Sequence, residues 1–136
     1  MTMATTPQVP VFEALTVAEC LRLAATQLVG RFAVAHGTGP PHVVPVNFLL
    51  DGDVVLFRSD VGTKFRLLRG AQVTFEVDGL DAEARLGWSV VFQGAAYEAS
   101  HWETDHLHLE PWGPGDKTHW IRIVPSLISG RRIRRR

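Results

Sequence analysis

The chain has 136 residues, 46% of them apolar, enough to fill the core of one domain without metals, and its lone cysteine, Cys20, excludes an internal disulfide. Formal charge is zero, but the last six residues carry five arginines; without them 9 basic residues face 14 acidic ones, a net −5, which argues against the basic face that nucleic-acid binding needs. No apolar run approaches the ~20 residues that cross a bilayer, and residues 1–10 lack the basic flank and apolar stretch of a secretory signal, so the expectation is a cytoplasmic protein without a membrane partner.

Residues 1–11 contain proline and threonine without periodicity and read as an arm ordered only by docking. The domain itself is expected over 12–133, with 134–136 as a solvated basic tail. Thr16 and Glu19 make a capping box, and Val17, Cys20, Leu21, Ala24 and Leu28 follow at helical spacing until Gly30 ends the run. Cys20 falls on the apolar side of that helix and reads as a small buried hydrophobe.

Short strands are predicted next, over 31–36, 42–50 and 53–59, separated by a Gly/Pro turn and by Asp51-Gly52. A helix-like piece over 61–70 precedes two more strands, 72–79 and 87–100, joined by an acidic turn over 78–85. Residues 102–110 suit a short helix, 111–118 a loop with two prolines and two glycines, and 119–125 a sixth strand. The fold class is therefore mostly β: an antiparallel barrel of six strands with one N-terminal helix and short connecting helices. Pattern alone leaves a sandwich or an OB-like barrel open.

The chemistry concentrates in residues 57–64, where Arg58 and Ser59 stand at a strand end and Thr63 and Lys64 at the start of the next element. Two cations, two hydroxyls and helix N-terminal amides together suit a phosphate monoester. A solvated turn with two surface cations is the competing reading. His101, Glu103, Asp105, His106, His108 and Glu110 invite a metal, but their spacing puts the histidines on diverging faces, and no metal is expected.

The order of VGRFAVAHG, VPVNF, LFRSDVGTK, VTFEVDG, GWSVVFQGAAYEA and PWGPGDKTHWIRIVPSLISGRRI resembles the flavin-binding split β-barrels related to pyridoxamine 5′-phosphate oxidase. That resemblance implies FMN as cofactor, with its phosphate on Arg58, Ser59 and Lys64 and with Thr63 beside them. It sets the main chain of Pro45, Val46 and Asn47 along the flavin ring. Pro45 has no N–H, so Val46 and Asn47 are the expected amide donors. Trp88 and Ser89 face the same ligand, and a homodimer partner completes the pocket with residues matching His119, Trp120 and Arg131. Trp88 and Trp120 as plain core or interface filling is the competing reading.

The implied activity is hydride transfer to or from a small organic substrate, with no side chain indispensable as acid or base. No histidine follows His119, so the phosphate grip of the biosynthetic oxidase is missing and pyridoxamine phosphate is not the expected substrate. A deazaflavin coenzyme (F-420) reductase, a haem protein using His36 or His42, and a non-catalytic interaction module are the alternatives.

Overall fold

A curled antiparallel sheet forms most of the computed structural model, which describes residues 8–35, 37–60 and 69–136. Among the described residues the strands number eight rather than six: β1 (Pro10–Ala14), β2 (Val29–Val34), β3 (His42–Asn47), β4 (Leu49–Asp51), β5 (Val54–Ser59), β6 (Gln72–Asp81), β7 (Leu86–Glu98) and β8 (His119–Arg135). They lie in the order β3-β2-β6-β7-β8-β5-β4, and β1 also pairs with β8. The helices among the described residues are α1 (Val17–Ala24) and α2 (His101–Thr104). The helix-like piece expected after Asp60, with Thr63 and Lys64, lies outside the described residues, as does His36.

β8 is the spine. Along one edge it pairs with β7 from Trp88↔Arg132 to Glu98↔Ile121. Along the other it pairs first with β5, from Ser59↔His119 to Val55↔Ile123, and then with β1, from Ala14↔Arg131 to Pro10↔Arg135. Pro10 and Val11, at the end of the expected arm, thus pair with Arg135 and Arg134 of the expected tail. Pro125, read from sequence as a strand end, instead sits at a register shift opposite Gly94, where a bulge tolerates its missing N–H. Glu13 accounts for two of the five terminal arginines: it meets Arg132 at 2.6 Å and Arg134 at 2.7 Å.

The capping box forms as expected, with the Thr16 hydroxyl accepting from the Glu19 N–H and the Glu19 carboxylate accepting from the Thr16 N–H. The helix stops at Ala24, however, and Leu28 is exposed. Gly30 is not its terminator but a strand residue lying under the Phe75 ring, where a side chain has no room. Phe32 of β2 stacks on Phe57 of β5 at 5.1 Å, and Phe57 on Phe75 at 6.4 Å. These contacts join strands that are not paired and so close the half-barrel around one aromatic core.

On the outward side of β2 and β6, Arg31 Nη1 donates to Glu76 at 3.0 Å and to Asp78 at 3.4 Å. Burial, a hydrogen bond with Asp78 and repulsion from its carboxylate push the Glu76 pKa from 4.5 up to about 7, against the pull of Arg31. Between these values the folded protein holds a proton that the unfolded chain releases. Stability from this group is complete below the lower value and is lost as pH rises through the upper one. Glu76→Gln is expected to flatten the fall in stability between pH 5 and pH 7.5 by on the order of 1 kcal/mol, discounted for partial exposure. Urea midpoints at the two pH values check this; an unchanged slope would rule Glu76 out as its source.

Candidate functional site

Where β3 and β5 face one another, a cleft of about 360 Å³ opens toward solvent. Its floor is Phe32 and Phe57, one wall is Pro45, Val46 and Asn47, and the other is Arg58, Ser59 and Asp60. Pro111, Gly113, Pro114 and Lys117 form the roof. Five residues expected at the site from sequence, Pro45, Val46, Asn47, Arg58 and Ser59, therefore share one cavity.

Two of them also hold the roof in place. Arg58 donates from Nε to the Lys117 carbonyl and from Nη1 to the Leu109 carbonyl, both at 2.9 Å. Asn47 accepts from the Trp112 main-chain N–H at 2.8 Å and donates to the Leu28 carbonyl at 3.2 Å. The Asn47 amide is thus engaged by the protein itself. Ser59 is buried at the end of β5, its hydroxyl donating to the Asp60 carbonyl at 3.2 Å.

Among the described residues β3 pairs only with β2, which leaves its second edge open to the cleft. Pro45 stands opposite Arg31, and a proline fits an edge strand where its nitrogen points away from the ladder. By alternation Val46 then bonds toward Gly30 of β2, while the Asn47 N–H points to the open edge. Of the two amide donors expected from sequence, register favours Asn47 and directs Val46 elsewhere.

Trp88, Ser89 and Arg131 lie in another part of the chain. Ser89 pairs with Arg131, whose guanidinium sits 4.4 Å from the Phe12 ring centroid. Trp88 lines a separate cavity with Leu23 and Gln27 beside α1. Arg131 lies eleven positions beyond Trp120 on β8, about 35 Å along an extended strand. One mononucleotide held at Arg58 does not reach both ends. Trp120 itself is near the cleft, its ring centroid 5.8 Å from the Arg58 guanidinium carbon. His42 is exposed at the start of β3.

Sequence reasoning missed Lys117 and the roof. Among the described residues Lys117 brings a second cation to the cleft, against the carboxylate of Asp60. The signal was its place two residues before a strand whose first residue pairs with Ser59, which only the pairing reveals.

A protein-family model described as pyridoxamine 5′-phosphate oxidase matches residues 16–132. A Mycobacterium tuberculosis protein, Rv0080, is 32% identical over 124 residues, 85% of this chain and 81% of its own. The structure of an FAD-binding protein from Mycobacterium smegmatis superposes with a TM-score of 0.72 at 31% identity, covering 91% of this chain and 100% of its own. An FAD-binding protein from Mesorhizobium loti does so with a TM-score of 0.73 at 25% identity, covering 90% and 98%.

Proposed function

This chain belongs to the pyridoxamine 5′-phosphate oxidase family, and from that premise we propose that it is a flavin-binding oxidoreductase whose β3–β5 cleft holds the FMN portion of the coenzyme. The observation that carries the reading is the meeting of Arg58, Ser59 and Lys117 with the open edge of β3 in one cleft. Two cations against Asp60 leave a net positive charge where a phosphate would lie, and the Ser59 hydroxyl becomes a donor there once it rotates away from the Asp60 carbonyl. The two similar structures named for FAD binding support a flavin over haem or an empty module.

A bound flavin supplies hydride acceptance and donation at its ring. The chain's own residues bind and orient it. Asn47 presents its N–H along the open edge of β3 while its side chain holds the roof, and the Pro111–Pro114 segment limits water. Because the flavin ring itself carries the hydride, no side chain of this cleft is required as an acid or base toward a small organic substrate.

The second half of the expected site, Trp88, Ser89 and Arg131, reaches the same flavin only from another copy of the chain. The protein is accordingly a two-fold dimer in this reading, with each cleft completed by its partner; exposed Phe12, 66% accessible beside Arg131, suits such an interface. The absorbance spectrum of the purified protein, with titrations of FMN and riboflavin and light scattering of the same sample, tests both parts. Flavin bands or saturable binding by a dimer is the expected result. A Soret band, or no binding of any flavin, overturns the function; a flavin-saturated monomer overturns the shared site.

A further inference from the structure

We infer that a second cavity, on the far side of the end of β5, takes the adenosine of FAD, so that the coenzyme is a dinucleotide seated across two adjoining cavities; this rests on the flavin reading above. The second cavity has a volume of about 540 Å³ and includes Glu98, Ser100, Trp102, Thr118, His119 and Trp120 among its walls. Its position follows from strand pairing. Arg58 and Ser59, at the phosphate end of the first cleft, are the cross-strand partners of Trp120 and His119 in the second, about 5 Å away between Cα atoms.

The two spaces adjoin in sequence as well, since Lys117 lines the first and Thr118 the second. A ligand whose ring lies along β3 and whose phosphate reaches Arg58 therefore ends at the mouth of the second cavity. The phosphate is the group from which FAD continues. Arg58 and Lys117 stand at this junction and suit a pyrophosphate better than a single phosphate.

The walls match an adenosine. Trp102 is 89% exposed at the lip and has no role in filling the core, while Trp120 is half-buried on β8. Indoles of this kind stack on a purine. Glu98 Oε1 pairs with His119 Nδ1 at 2.7 Å, which orients the carboxylate, and a carboxylate's second oxygen suits ribose hydroxyls. The hydroxyls of Ser100 and Thr118 and the main chain around Ala99 are available kinds of partner for a base edge.

Titrations of FAD and FMN into the full chain and into Trp102→Ala, followed by flavin fluorescence, test the assignment; Trp102 is exposed enough that its removal leaves the fold intact. Wild type is expected to bind FAD at least tenfold more tightly than FMN. Trp102→Ala is expected to weaken FAD about tenfold and leave FMN unchanged, and adenosine to compete with FAD but not with FMN. Equal affinities for FAD and FMN in wild type overturn the adenosine site, as does a variant that weakens both alike. Simultaneous binding of FMN and NADPH, with adenosine displacing only NADPH, assigns the cavity to a separate nucleotide and also overturns it. Failure of both flavins to bind removes the underlying flavin reading itself.

Discussion

Arg58→Ala is expected to collapse the preference for FMN over riboflavin about thirtyfold, the equivalent of about 2 kcal/mol for a charge-assisted bond to phosphate. The ratio matters more than either affinity. Arg58 also bonds the carbonyls of Lys117 and Leu109, so its loss loosens the roof and weakens both ligands together. Only the phosphate distinguishes them, and riboflavin has none. Arg58→Lys keeps the charge without the planar fork that reaches both carbonyls, and is expected to recover part of the ratio. Titrations of both ligands into the three proteins decide the matter; an unchanged ratio in Arg58→Ala would mean that the phosphate lies elsewhere.

What could be read from sequence was local. The capping box at Thr16 and Glu19 involves residues three apart, and the turn signals around Asp51-Gly52 are contiguous, so both appear where the pattern puts them. Arg58 and Ser59 were legible because a cation and hydroxyl ending an apolar strand are chemically conspicuous. The pairing of β1 with the end of β8 joins residues more than a hundred positions apart, and no local pattern announces it. Glu13 gave no hint that it meets Arg132 and Arg134. Lys117 and the roof were hidden for the same reason, since they reach the cleft only through Arg58 and Asn47. Two residues misled by their usual meaning: Gly30 as a helix stop and Pro125 as a strand end. Each is instead demanded by tertiary packing, Gly30 by the Phe75 ring and Pro125 by a bulge. Trp88, Ser89 and Arg131 rest on resemblance alone, and their separation from Arg58 follows from the length of β8, which continues past Pro125 to Arg135.

That bulge is where a single methyl group is expected to do the most damage to the fold. At Gly94 an added Cβ would meet the Val124 carbonyl oxygen directly and lie 2.8 Å from the Pro125 Cα; both are backbone atoms that no rotamer change moves aside. Gln93 pairs with Leu127 and Gly94 with Pro125, leaving Ser126 as the extra residue, its hydroxyl donating to the Gln93 carbonyl at 3.1 Å. The bend lies within the stretch of β8 between its β5-paired and β1-paired halves. Its loss would disturb both the strand that positions Arg58 and the strand that carries Arg131. Gly94→Ala is expected to destabilise the protein by about 3 kcal/mol or more, as overpacking against fixed backbone does, and to lower flavin affinity in whatever fraction still folds. Ser126→Ala, which removes only the hydroxyl bond, is expected to cost about 1 kcal/mol and leave binding intact. Urea denaturation of both variants separates the two effects, and a Gly94→Ala midpoint indistinguishable from wild type would show that the strands cross at this point with more room than their register implies.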